Sequence, residues 1–169
     1  DNIDALPMST TAGSAAFKNN IPNNDSFLVK RLKEKGALIL GKVNLSEWAY
    51  YFCQNCPLGY SALGGQTLNP YGRKIFETGG SSSGSGVAVA ANYSVAAIGS
   101  ETSGSILSPS GKNSVVGLKP TIGSISRNGM IPISSSLDTA GPMAKSVMDT
   151  AILMNALIGF DSNDEYSYC

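Results

Sequence analysis

The sequence predicts an α/β fold, and three observations carry that prediction. Short apolar runs of strand length alternate along the chain with stretches of helical spacing. Those runs lack a polar residue at every second position, which marks strands covered on both faces. The 169 residues are 42% hydrophobic and only 14% charged, enough apolar surface for a buried core and too little charge for a disordered chain. No repeat and no linker divides the sequence, so one domain is expected.

Taken in order, the first helix is signalled by Asn24-Asp25-Ser26 running into Phe27-Leu28-Val29-Lys30-Arg31-Leu32-Lys33. Asp25 or Ser26 can cap the exposed amides, and Gly36 ends the run. Residues 37–43 are apolar, short and flanked by turn residues, which predicts a buried strand. A brief helix is expected over Ser46–Tyr51. Cys53 to Thr78 is rich in Pro, Gly and Asn and predicts a long covering loop. Gly79 to Gly86 forms a serine-glycine turn that opens a closely packed helix through Val87–Asn92. Val95–Gly99 predicts a second buried strand, which runs into a second polar turn, Ser100–Ser105. Val115–Thr121 reads as a third strand or a loop. After a Gly/Ser/Pro-rich connection, Ser146–Leu157 predicts a closing amphipathic helix.

Composition excludes several functions. Twelve basic and twelve acidic residues leave no net charge, so neither nucleic acid nor an anionic membrane is expected as a partner. There is no histidine, which removes Ser-His-Asp and Cys-His mechanisms and any zinc site that needs imidazole. Of three cysteines, Cys53 and Cys56 form a lone C-x-x-C and Cys169 ends the chain. Four-thiolate zinc ligation within one chain is thereby excluded. The expectation is ordinary cysteines in a reducing compartment. The Asp1-Asn2-Ile3-Asp4 start does not read as a signal peptide, and the longest apolar stretches, near 87–91 and 151–157, are too short to span a bilayer. A soluble protein is expected, with a cytoplasmic location favoured.

The serine-glycine turns fit few chemistries. Neither is followed by Gly-Lys-Ser/Thr, so a P-loop is absent, and the glycines near Gly84 and Gly86 lack the third member of G-x-G-x-x-G. Gly80-Ser81-Ser82-Ser83-Gly84 satisfies G-x-S-x-G, but that elbow works with a histidine base. No lysine lies three residues after a serine, so S-x-x-K is absent as well. A serine activated by a lysine distant in sequence survives, with a second hydroxyl relaying the proton. Such a lysine must be neutral near pH 7, about three units below its ordinary pKa of ~10.4, a shift that burial can supply. The alternative is that both turns are tight packing corners.

The wording of these segments resembles the amidase signature hydrolases. The resemblance is carried by Gly79-Gly80-Ser81-Ser82-Ser83-Gly84-Ser85, by Gly99-Ser100-Glu101-Thr102-Ser103-Gly104-Ser105-Ile106 and by Gly117-Leu118-Lys119-Pro120-Thr121. Asp138-Thr139-Ala140-Gly141-Pro142-Met143-Ala144, Gly41–Ala49 and Asn69-Pro70-Tyr71 extend it over essentially the whole chain. It implies a mixed sheet flanked by helices, with residues 1–169 as the central, incomplete part of an amidase signature domain. Ser105 corresponds to the nucleophile and Ser81, entered through a cis peptide bond, to the bridging serine. The backbone amides of Thr102, Ser103, Gly104 and Ser105 correspond to an oxyanion hole, aided by the dipole of a helix starting near Ile106. No metal and no organic cofactor is implied. The expected partners are a small-molecule or peptide amide substrate and the remainder of the amidase chain.

Within the family the second turn is most similar to the peptide amidase branch, which removes C-terminal amides. Ser83, Ser103 and Leu107 depart from the usual residues, Leu107 replacing an arginine of many relatives. The family lysine stands directly before Asp1, so this chain as it begins lacks the base and is expected to turn over little or nothing. Lys42 and Lys119 are expected to be structural, and Lys18, Lys30, Lys33, Lys35 and Lys145 to be solvated. There are two alternatives. One is the ammonia-releasing subunit of a tRNA-dependent amidotransferase, from which Glu101, Ser103 and Leu107 deviate. The other is a degenerate homologue acting as a binding scaffold.

Overall fold

A computed structural model describes residues 1–168, so Cys169 lies outside the described residues. Helix α1 spans Phe27–Glu34. The Ser26 hydroxyl caps it by accepting from the Val29 amide, and Gly36 follows it at φ 82°. A small hairpin, β1 (Tyr60–Ser61) with β2 (Gly65–Gln66), interrupts the long covering loop. Helix α2 (Ser83–Ala90) leads to β3 (Ala96–Glu101), α3 (Leu107–Lys112) and β4 (Val116–Gly117). Strand β5 (Thr139–Ala144) and helix α4 (Val147–Leu157) complete the order. The predicted combination of strands and helices is present. The three-stranded sheet runs β3-β5-β4, and both of its pairings are antiparallel.

Strand β5 is the middle strand, buried along its whole length, although Gly141 and Pro142 are poor strand residues. Pro142 stands opposite Ile98 of β3, and its carbonyl accepts from the Leu118 amide on the other side at 3.1 Å. In an antiparallel strand the N and O of one residue point the same way, so the proline nitrogen faces away from β3. The missing N–H therefore costs that ladder nothing. Gly141 admits the Leu118 carbonyl and the end of Ile106, which a Cβ would strike.

The outer edge of β3 is closed by a helix instead of a strand. The Ser82 hydroxyl accepts from the Ser100 amide at 3.0 Å and donates to the Ser100 carbonyl at 3.1 Å, and the Ser85 hydroxyl donates to the Ile98 carbonyl at 2.7 Å. Serines at the start of α2 thus satisfy strand groups that would otherwise be buried without partners. Small residues let this helix come close: a Cβ on Gly84 would collide with the backbone of Asn44. The core beside the sheet joins Leu28, Val29 and Leu32 of α1 to Ile125, Ala140 and Leu157.

Four expectations are corrected. Residues 37–43 are extended but join no ladder among the described residues, and Leu38 and Leu40 are 86% and 75% exposed. The segment is separated from β3 by a cleft of about 660 Å³, too wide for backbone pairing. Residues Glu47–Tyr50 form a short 3-10 turn in which Trp48, Ala49 and Tyr50 have positive φ, instead of a right-handed helix. Helix α4 is present but not amphipathic: Val147, Met148 and Ile152 are exposed, while Thr150 and Leu157 are buried. Cys53 and Cys56 are joined as a disulfide, because the turn between them brings their Cα atoms to 5.8 Å.

A C-terminal strap holds the loop that follows β4. Arg127 grips Asp164 with Nη2 at 2.7 Å, Nε at 3.1 Å and its backbone amide at 2.8 Å, and its guanidinium lies over the Tyr166 ring. The Arg127 guanidinium holds the Asp164 carboxyl below the usual carboxylate range. Because the folded carboxyl titrates below the unfolded one (~3.9), its contribution is complete above about pH 5 and disappears as pH falls through the folded value. In the full-length protein, Asp164→Asn is expected to lower unfolding stability by about 3 kcal/mol at pH 7. Chemical denaturation at several pH values checks this: the gap to wild type should narrow on acidification, and a gap as wide at pH 3 as at pH 7 would refute the pairing.

Candidate active site

Two turns meet at the front of α2 and α3. The first passes through Gly79, at φ 64°, and a cis Gly80–Ser81 peptide bond, so the cis bond implied by the resemblance is present. The Ser81 carbonyl accepts from the Ser46 amide at 3.0 Å. The second turn leaves β3 at Glu101 and reaches α3 through Thr102, Ser103, Gly104, Ser105 and Ile106. One backbone bond joins them directly, from the Ser82 amide to the Ser105 carbonyl at 3.1 Å. Ser81 and Ser105, 24 positions apart in sequence, line one hollow together with Thr102, Ile131 and Ile133. That hollow measures about 10 Å³, room for a single oxygen-sized group and not for a whole substrate.

Ser81 is 4% exposed and Ser105 partly buried. Among the described residues neither hydroxyl is held in a hydrogen bond, and the amides of Ser103, Gly104 and Ser105 find no acceptor. The next two amides are treated differently. Glu101, 4% exposed, accepts from Ile106 N at 2.6 Å and from Leu107 N at 2.9 Å through the same oxygen, Oε2. A carboxylate on these amides caps α3 and offsets the positive end of its dipole. The expected contribution of that dipole is therefore diminished, and any developing negative charge would fall to the individual amides preceding Ile106. Gly104 has φ 97°, a conformation that favours glycine, and nothing approaches the position where its Cβ would stand.

Thr102 is tied by its hydroxyl to Asp138 Oδ1, while Asp138 Oδ2 accepts from Ile133 N at 2.7 Å and Ser134 N at 2.8 Å. Asn2 reaches the same corner, donating from Nδ2 to Ser100 Oγ at 2.9 Å. Sequence reasoning gave no role to Ser82, Glu101, Asp138 or Asn2. For Glu101 a signal existed, an acid shortly before a helix start. The other three act on partners 18 to 98 positions away and leave no local pattern.

No described lysine reaches the two serines by a hydrogen bond. Lys42 Nζ is used up by Asp1 Oδ1 at 2.9 Å, the Ser9 carbonyl at 2.6 Å and Thr10 Oγ1 at 2.9 Å. Burial lowers its pKa to about 8. Three acceptors for three N–H groups make it a structural anchor, as expected, and Lys119 is half-buried. Among the described residues no cluster of acidic or cysteine side chains is placed to hold a metal ion, and no helix is long and apolar enough to cross a membrane.

This architecture is matched by known proteins along its whole length. The family profile described as Amidase matches residues 1–169. A probable amidase of Arabidopsis thaliana is 48% identical over 158 residues, covering 94% of this chain and 31% of the relative. The solved peptide amidase of Stenotrophomonas maltophilia superimposes with a TM-score of 0.96 at 54% identity, over 98% of this chain and 34% of that one. A glutamyl-tRNA(Gln) amidotransferase subunit of Thermotoga maritima gives 0.85 at 38% identity, covering 99% and 36%. The chain spans about a third of the length of the relatives it matches. With a shared backbone and a profile match from end to end, the chain belongs to the amidase family.

Proposed function

We propose that the longer protein of which these residues form the central part hydrolyses a linear carboxylic amide through a serine acyl-enzyme. The observation that carries this reading is the meeting of Ser81 and Ser105 at one hollow beside three amides without acceptors. Ser105 Oγ attacks the carbonyl carbon as its proton passes to Ser81 Oγ and the proton of Ser81 moves on to a lysine amine acting as base. The carbonyl oxygen becomes an oxyanion held by the amides of the turn formed by Thr102, Ser103, Gly104 and Ser105. Ser81 returns a proton to the nitrogen as the C–N bond breaks, and ammonia or an amine departs. Water then cleaves the Ser105 ester and restores the hydroxyl.

The family pattern assigns the base to a lysine directly before Asp1. Two features support that place: the wide cleft reaches Ser81, and Asp1, Asn2 and Lys42 line the same cleft. A lysine entering there would lie in largely apolar surroundings, which favour the neutral amine. The identity of 54% to a peptide amidase, against 38% to the amidotransferase protein, favours an amide at the end of a peptide as substrate. Leu107, half exposed where many relatives carry arginine, points the same way.

Labelling of the purified full-length protein with a fluorophosphonate probe tests the assignment. Ser105→Ala should abolish labelling and lower amide turnover by roughly 10⁴-fold or more, and Ser81→Ala by about 10²–10⁴-fold. Labelling of Ser105→Ala equal to wild type would remove Ser105 as the nucleophile. Glu101→Ala leaves the Ile106 and Leu107 amides without their acceptor, so the turn should lose its setting. The expected result is a kcat about 10²-fold lower with KM little changed, and substantial recovery in Glu101→Gln, which retains an acceptor oxygen.

A further inference from the structure

Asp138 is 4% exposed, yet no lysine or arginine is paired with it among the described residues. Its charge is instead divided between two parts of the site. Oδ2 accepts from the amides of Ile133 and Ser134, at 2.7 and 2.8 Å, and so folds the 131–138 loop around the carboxylate. The Asp138 amide itself donates to the Ser134 carbonyl at 3.0 Å, which closes the same loop, and the Ile131 amide donates to the Asn2 carbonyl at 2.8 Å. The other oxygen, Oδ1, accepts from the hydroxyl of Thr102, the first residue of the turn that ends in Ser105. Thr102, Ile133 and Asp138 all border the hollow that holds the two serines.

We infer that Asp138 is a positioning residue that binds the apolar rim loop and the Ser105 turn into one body through the Thr102 hydroxyl. The inference rests on the reading of Ser105 as nucleophile. Hydrogen bonds to a buried carboxylate are shorter and stronger than neutral ones, so three of them on one side chain make a stiff joint. Ile133 is 45% exposed at the rim, placed to meet an apolar group next to the scissile amide. Through the joint, a group resting on Ile133 and the amides facing the oxyanion share one frame. Asp138 touches no reacting atom in this arrangement; it acts through Thr102.

The test uses the full-length protein and an alkyl fluorophosphonate, in which the serine oxygen displaces fluoride from phosphorus and gives up its proton. Thr102→Val keeps shape and leaves the loop contacts of Asp138 intact, but removes the hydroxyl. Its maximal labelling rate should fall about 10-fold, with the half-saturating probe concentration within about twofold of wild type. Thr102→Ser, which restores the hydroxyl, should recover most of the rate. Adding Asp138→Asn to Thr102→Val should slow labelling less than Asp138→Asn does alone. A normally folded Thr102→Val that labels at the wild-type rate, or a Thr102→Ser as slow as the valine variant, overturns the inference. So does a loss confined to thermal stability, which is what a purely structural bond would give. Ser105→Ala, run alongside, separates the two ideas: if it still labels, the nucleophile assignment fails, whereas a silent Ser105→Ala with a fast Thr102→Val sinks only the coupling.

Discussion

The arrangement hangs on one serine. Ser82 donates its amide to the Ser105 carbonyl and uses its hydroxyl on both backbone groups of Ser100. These bonds fasten the start of α2 to the end of β3 and to the turn beyond it. Without them the edge of β3 would present unpaired groups to a helix, and the two turns would have no direct connection. A hydroxyl is needed there, because an alanine would fit the space and leave Ser100 unsatisfied. The small residues around it serve the same demand: Gly84 and Gly86 bring α2 close to Asn44 and Pro109, where a larger side chain would push it away.

Around this joint the site is built from backbone more than from side chains. Two carboxylates, Glu101 and Asp138, are buried close to the serines, and each is committed to holding loops. Glu101 consumes the amides just past Ser105 and leaves the preceding ones free. The same short turn can therefore both start a helix and face the hollow. It also makes the local field depend on a few oriented N–H groups, which need no rearrangement when charge develops.

Much of the fold was legible in the sequence where local rules govern it. The Ser26 cap and Gly36 stop bracket α1 as read, and α2 begins inside the serine-glycine turn. The rest was decided by distant partners. Strand β5 carries Gly141 and Pro142, which argue against a strand until Pro142 is seen to turn its nitrogen away from β3. Residues 37–43 have the composition of a buried strand but lack a neighbour within reach. In the site, Ser81 and Ser105 were legible because two written motifs surround them. Ser82 and Asp138 were not, since nothing near them in sequence announces Ser100 or Thr102.

The bare run at 37–43 bears on how such a polypeptide behaves when produced by itself. From 38 to 42 its backbone donors and acceptors find no partner among the described residues, and leucines at 38 and 40 stand in water. Surfaces of that kind recruit a strand from any molecule that supplies one. In isolation such a run favours self-association that grows with concentration, even where every helix and strand has formed correctly.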